Sequence, residues 1–272
     1  MPKFIIHLAI TLFCLLIIQH VYCLPQNRDT AILVNNTIVD IHYPITKNIG
    51  TILILPGWNF PQNDICEKSE FCKLAANEGY TTVMPNMLKS IYASCYYPET
   101  RKDWLQYHTL PWLIDTLIPY LQNQFGLLKK GEKNFVLGLS TGGRGVAMLS
   151  IYSDSIFKAG AALSGDYNQV LQPNDNLMKG VYGDYEKFKD RWTGTDNPFL
   201  NASKVKFPIY LAHGKSDKIV PCEQTVNFYN ELLKFNYIKN HKISINPTEG
   251  HRYEFWQSEF PAVFKFFDSF NN

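Results

Sequence analysis

The apolar run Asn134–Leu139 ends in Gly138-Leu139-Ser140-Thr141-Gly142-Gly143 and passes without a break into a helical stretch at 141–151. A strand that turns this abruptly into a helix, with a serine at the apex, needs small residues on both sides. Larger side chains at 138 and 142 would collide with neighbouring backbone. The turn lifts the serine out of a sheet in a strained conformation. The helix starting at Thr141 aims its free N–H groups and positive dipole end at any charge that forms beside Ser140. G-x-S-x-G is common by chance. Between a strand and a helix it marks Ser140 as a candidate nucleophile.

Such a join requires a sheet, and the rest of the chain supplies one. Short apolar runs at 38–43, 51–55, 80–84, 158–163, 208–212 and 242–246 read as strands; the continuous ones suit strands buried on both faces. Helical stretches are expected at 71–78, 103–125, 141–151, 223–235 and 253–270. Pro111 and Pro119 interrupt the second. Strands alternating with helices predict a single α/β domain with a mostly parallel central sheet. Residues 165–208 break the alternation with Gly, Pro, Asn and Asp, and read as an excursion over the sheet's C-terminal edge, where pockets form. No repeat or linker divides the chain. With 46% hydrophobic residues, 18% charged residues and a net charge of +2, it is neither a disordered segment nor a nucleic-acid binder.

The first residues have a separate role. Lys3 precedes an apolar run from Phe4 to Ile18, followed by Gln19-His20-Val21-Tyr22-Cys23. That run is shorter than the roughly 20 residues a membrane-spanning helix needs, and reads as a signal peptide over 1–23. The mature domain would be 24–272, secreted or periplasmic, with no stable membrane span. Tyr22 just before Cys23 fits a lipoprotein-type site poorly. Cys66, Cys72, Cys95 and Cys222 remain, and four cysteines in an exported chain suggest disulfides in one of three full connectivities. The expected pairing is Cys66–Cys72 within one loop and Cys95–Cys222 between distant segments; four reduced, buried cysteines are the alternative. No zinc-ribbon spacing is present, and no metal is expected. Asn35 and Asn201 stand in N-x-Ser/Thr sequences.

A serine hydroxyl needs a base to act as a nucleophile. Of the histidines beyond the leader, His213, His241 and His251 follow Ser140. His251 lies directly after the last expected strand, on a loop able to reach the serine. His241 begins that strand and belongs at its other end, and His213 closes a strand ahead of Gly214. The acid that orients the base is expected at Asp217, just past the turn in His213-Gly214-Lys215-Ser216-Asp217, where it would hold the histidine's tautomer and stabilise the imidazolium. Asp166, Asp175, Asp184, Asp190 and Asp196 are rivals inside the irregular excursion. An oxyanion would be held by the backbone N–H groups of Thr141 and of Trp58, the latter in the loop Pro56-Gly57-Trp58-Asn59. Trp58, Tyr96, Tyr97, Trp104, Tyr167, Tyr182 and Trp192 are candidates for pocket lining, although most aromatics in such a chain pack its core.

Taken together, these residues resemble the α/β-hydrolase superfamily over most of the mature length. Gly138-Leu139-Ser140-Thr141-Gly142-Gly143 and Ala161-Ala162-Leu163-Ser164-Gly165 are similar to the branch holding esterase D (S-formylglutathione hydrolase), feruloyl esterases and mycolyltransferases. His213-Gly214 with Asp217, and Gly250-His251 followed by Trp256, are similar to the wider superfamily. Pro56-Gly57-Trp58 stands where many relatives carry His-Gly. The resemblance implies a sheet of about eight strands, no cofactor, and acyl transfer from a small-molecule ester to water through an acyl-enzyme on Ser140. A peptidase of the prolyl-oligopeptidase type and an exported binding protein without turnover are the alternatives.

Overall fold

The computed structural model describes residues 29–235 and 237–270; the expected signal peptide at 1–23 lies outside them. Eight strands form one sheet in the order β1-β2-β4-β3-β5-β6-β7-β8. They are β1 (Thr30–Val34), β2 (Thr37–His42), β3 (Gly50–Leu55), β4 (Tyr80–Pro85), β5 (Asn134–Leu139), β6 (Ala159–Leu163), β7 (Ile209–Gly214) and β8 (Lys242–Asn246). From β4 to β8 the neighbours are parallel, while β1 and β2 add an antiparallel margin. The fold is the expected α/β one. Strand β1 is absent from the sequence reading. It pairs with β2 through a tight hairpin whose Asn35 and Asn36 have φ of 48° and 63°, as a two-residue turn matching strand twist requires. Asn-Asn is a weaker signal for that turn than Asn-Gly.

The helices are α1 (Asp64–Lys68), α2 (Phe71–Asn77), α3 (Ile118–Gln124), α4 (Thr141–Tyr152), α5 (Asn176–Tyr182), α6 (Lys189–Thr193), α7 (Glu223–Leu232) and α8 (Tyr253–Asp268). Alternate side chains of each strand feed opposite faces of the sheet. Leu53, Leu55, Val136, Ile209 and Leu211 meet α3, α4 and α7 on one side. Ile52, Ile54, Leu137, Tyr210 and Ala212 meet α2 and α8 on the other. Burying both faces explains why β3 to β7 read as unbroken apolar runs. No helix among the described residues is long and apolar enough to cross a membrane.

Two expectations need correcting. The stretch 103–125, expected to be helical with breaks at Pro111 and Pro119, is not helical over 105–109, and Pro111 sits at the start of a helix rather than breaking one. After a 3₁₀ turn at Lys102–Trp104 the chain re-enters helix at 110, runs as a π-helix over Trp112–Leu117 and continues into α3. Ile118 N–H reaches back to Leu113 C=O, and Pro119, which has no N–H to give, sits at the start of α3. The cysteines also divide differently. Cys66 in α1 and Cys72 in α2 form a disulfide, but Cys95 is free and exposed and Cys222 free and buried. Cys95 lies by Tyr97 in the loop after β4, whereas Cys222 precedes α7 among Lys215, Asp217 and Glu223. They belong to different neighbourhoods.

The excursion 165–208 is a packed layer rather than an open loop. Trp104, Tyr182 and Trp192 are buried with Met178 and Val181 in a satellite core, against which half-buried Trp58, Tyr96 and Tyr97 rest. Tyr167 is buried in the main core. Trp104, Tyr167, Tyr182 and Trp192 therefore hold the layer together, leaving the three half-buried rings as its more accessible aromatic face.

Candidate active site

Parallel strands put their C-terminal ends on one edge, so the loops leaving β3, β5, β6, β7 and β8 converge there. Ser140 sits between β5 and α4 with φ 56° and ψ −122°, a strained conformation held by its N–H bond to Leu163 C=O at 2.9 Å. The glycines have steric reasons. A Cβ on Gly138 would lie 1.9 Å from Gly142 C=O, and one on Gly142 would lie 2.0 Å from Leu55 C=O. Neither turn nor helix start could accept a side chain there. A Cβ on Gly57 would come within 3.1 Å of Ser140 Cβ, so the loop after β3 passes directly beside the serine.

The loops carrying Asp217 and His251 are laced to one another. Ser216 N–H donates to Glu249 C=O at 2.9 Å, and a Cβ on Gly214 would strike that carbonyl at 2.3 Å. This close approach aligns the two side chains. His251 Nδ1 lies 2.6 Å from Asp217 Oδ2, and His251 Nε2 lies 2.9 Å from Ser140 Oγ. The serine, histidine and aspartate named from the sequence are thus joined in one hydrogen-bonded line. Asp217 is fully buried at its side chain and His251 nearly so. Burial pushes the Asp217 carboxyl up, but bonds from His213 and His251, the charge of His251 and the Val220 N–H outweigh it. They hold the carboxyl well below its ordinary range.

Every rival aspartate is engaged elsewhere or exposed. Asp166 pairs with Arg144, Asp175 caps α5, Asp184 accepts the N–H groups of Glu186 and Lys187, and Asp196 accepts that of Ser94. Asp190 is exposed on α6. His241 accepts the Ile209 N–H at the far end of β8. Among the described residues, no backbone hydrogen-bond partner occupies the N–H of Trp58 or of Thr141. Thr141 opens α4, where the first N–H groups of a helix have no partner within it, and Trp58 lies in the turn after β3.

Two neighbours escaped the sequence reading as parts of this site. His213 Nε2 lies 3.2 Å from Asp217 Oδ2, and the indole of Trp256 meets the His251 ring edge-on at 5.3 Å between centroids. Trp256 is itself held by its Nε1–H bond to Ser164 Oγ at 3.0 Å. The four-residue spacing from His213 to Asp217 was the available signal for the first. Away from this edge, donor atoms of His42, Cys66 and Cys72 lie within 4.8 Å of one another, but the disulfide ties up both sulfurs. A disulfide sulfur is a far poorer metal ligand than a thiolate.

Residues 35–267 match the protein-family model described as Putative esterase. The "Probable glutamyl endopeptidase, chloroplastic" of Oryza sativa subsp. japonica is 30% identical over 131 residues, which are 45% of this chain and 13% of that protein. The chain therefore spans only a small part of that relative's length. The "Acetyl esterase" of Caldicellulosiruptor saccharolyticus is 22% identical over 242 residues, 81% of this chain and 84% of that one. Among solved structures, an S-formylglutathione hydrolase from Agrobacterium tumefaciens superposes with a TM-score of 0.70 at 14% identity, covering 90% of this chain and 95% of that one. At that identity the likeness speaks for the α/β-hydrolase fold.

Proposed function

As the chain belongs to the Putative esterase family, we propose that it is a serine-dependent hydrolase of small-molecule carboxylic esters, working through an acyl-enzyme on Ser140. The observation that carries this reading is the line Asp217–His251–Ser140, with contacts of 2.6 and 2.9 Å. Ser140 Oγ attacks the acyl carbonyl while His251 Nε2 takes its proton. The carbonyl oxygen, becoming an oxyanion, receives the N–H groups of Thr141 and Trp58; losing one such donor costs roughly 10²–10³ in rate. His251 then protonates the departing alcohol, and next draws a proton from water as the water attacks the acyl-enzyme. Asp217 keeps Nδ1 protonated throughout and stabilises the imidazolium.

The test is labelling with a fluorophosphonate probe, comparing wild type with Ser140→Ala. Labelling of the wild type alone supports an activated serine at 140. Absence of labelling in a folded wild type overturns the hydrolase reading and favours a binding protein. A serine peptidase is the second reading, favoured by the stretch shared with the glutamyl endopeptidase. Ester and peptide panels run side by side separate the two, since only a peptidase releases amines from peptides at rates rivalling ester cleavage. We further propose that residues 1–23 direct export to a secreted or periplasmic location. The Cys66–Cys72 disulfide supports an oxidising compartment. N-terminal sequencing of protein recovered outside the cytoplasm tests this, and an intact Met1 there would refute cleavage.

A further inference from the structure

The carboxylate of Asp217 is held on every side. Oδ1 accepts the N–H groups of Ile219 at 2.8 Å and Val220 at 2.9 Å. Oδ2 faces His251 Nδ1 at 2.6 Å and His213 Nε2 at 3.2 Å. The His213 ring is completely buried, and its surroundings place a hydrogen on Nε2. Nε2 also stands 2.9 Å from Val220 C=O. A carbonyl and a carboxylate can only accept, so Nε2 must carry a hydrogen, shared between the two oxygens. On the other side of the ring, Nδ1 lies 2.7 Å from Thr225 Oγ1 on α7. The threonine hydroxyl satisfies Nδ1, so every polar atom of the buried ring has a partner.

We propose that His213 is a positioning residue of the active site: its Nε2–H holds Asp217 Oδ2 in the direction of His251 and draws on that oxygen's negative charge, so that it helps set the acidity of the His251 imidazolium. The inference rests on the hydrolase reading of the Ser140 site. The physical step is short. An anionic oxygen stabilises a cation less when a second donor shares it. With His213 present, the carboxylate is steered while its pull on the His251 proton is moderated. Without it, Oδ1 stays hooked to the backbone but Oδ2 is freed, both to move and to attract the proton more strongly.

Other charged groups lie around the pair. Lys215 and Lys218 stand on the acid loop, Cys222 and Glu223 at the start of α7, and Glu249, Arg252 and Glu254 about the His251 loop. Arg252 and Glu249 pair with each other, and burial pushes the Cys222 thiol up, away from ionisation. Among the described residues, the ionisable side chains in hydrogen-bond reach of the Asp217 carboxylate are His213 and His251.

The test compares wild type, His213→Phe and His213→Gln by kcat, KM and the pH profile of kcat/KM on an ester that the wild type turns over, with circular dichroism to establish folding. Phe fills the ring's space without an N–H, whereas Gln carries one at the reach of Nε2. The expected result for His213→Phe is a fall in kcat of about tenfold with KM unchanged. Its acid limb should move to higher pH by about half a unit or more. His213→Gln should recover most of both. Wild-type kcat and pH profile in folded His213→Phe would overturn the proposal, as would equal losses in both variants with an unmoved acid limb. If His213→Phe does not fold, His213→Asn takes its place. Its amide stands where Nδ1 meets Thr225 but falls short of Asp217, and it should move the same limb in the same direction; no movement overturns the proposal. A wild type that turns over no ester and takes no phosphonate label defeats the hydrolase reading first, and this inference with it.

Discussion

Arg144 Nη1 lies 3.1 Å from Asp166 Oδ2, with the arginine wholly out of water and the aspartate nearly so. Arg144 is four residues past Ser140 on α4, and Asp166 opens the excursion after β6. The same guanidinium reaches Gln169 at 3.2 Å, the Tyr182 hydroxyl at 3.0 Å and the Asp196 carbonyl. One cation therefore pins the excursion to the helix that follows Ser140. Lysine offers no planar fork to span those acceptors.

Removing that cation leaves Asp166 a buried, unpaired charge. Arg144→Met is expected to lose about 3–5 kcal/mol of unfolding free energy, the usual cost of breaking one side of a buried pair. Urea unfolding at neutral pH measures it. A loss within about 0.5 kcal/mol, the range of an ordinary surface substitution, would show that the network contributes little to holding the layer.

Most of the parallel core was legible because strands buried on both faces leave continuous apolar runs, and β3 to β7 do so. The hydrogen-bonded line Asp217–His251–Ser140 was legible for a related reason. Gly138, Gly142 and Gly214 have glycine because backbone of another segment occupies the space a Cβ would need, so each glycine marks the chemistry beside it. What stayed hidden depends on partners distant in sequence. Nothing near Arg144 announces that a charge inside α4 is met by residues from 166 to 196. Nothing near Cys95 or Cys222 reveals that they lie in different surroundings. The π-helical run before α3 is also set by packing and by Pro119, where sequence periodicity sees only a helical stretch.

Asp217→Asn should separate orientation from folding. The amide can still take the Ile219 and Val220 N–H groups on its oxygen, but its NH₂ would face two ring nitrogens that carry hydrogen, and His251 would turn to the wrong tautomer. A fall in kcat of about 10³–10⁴ is expected with the fold retained. The pH dependence follows from the lowered carboxyl. A group whose pKa is depressed on folding stabilises the protein above its unfolded value of about 3.9, and that stability fades as pH falls beneath it. Wild type should therefore lose stability below pH ~4 more steeply than Asp217→Asn. Parallel curves would contradict the assigned bonds.

His241 gives a second pH signature in a different window. Burial lowers its imidazole to about 4, and its Nδ1 accepts the Ile209 N–H at 3.1 Å, a bond the protonated ring cannot accept. The unfolded chain takes up that proton near pH ~6.5 and the folded chain only near pH 4. Stability should thus decline as pH falls from about 6.5 to about 4, by roughly 3 kcal/mol at most. In His241→Asn the amide oxygen can keep the Ile209 bond while the titration disappears. Its stability should be flatter over that interval, as measured by urea midpoints at several pH values. An unchanged slope would assign the decline to other groups.

The cysteines give a prediction in which chemistry and stability must agree. With Cys66–Cys72 closed and Cys95 and Cys222 free, alkylation of folded protein without reductant should modify Cys95 first, because it is exposed. Cys222 should react only on unfolding. Mass spectrometry after denaturation should then count two blocked thiols beyond the leader, and four after reduction. Closing a loop of six residues removes little unfolded-state entropy, so Cys66→Ser with Cys72→Ser should cost about 2 kcal/mol. In a domain of this size that lowers Tm by roughly 4–8 °C. A Cys95–Cys222 crosslink would instead leave no free thiol, and would span a loop long enough to contribute roughly twice as much. Two free thiols together with a modest shift in Tm therefore select the short local bridge, and either result without the other would contradict it.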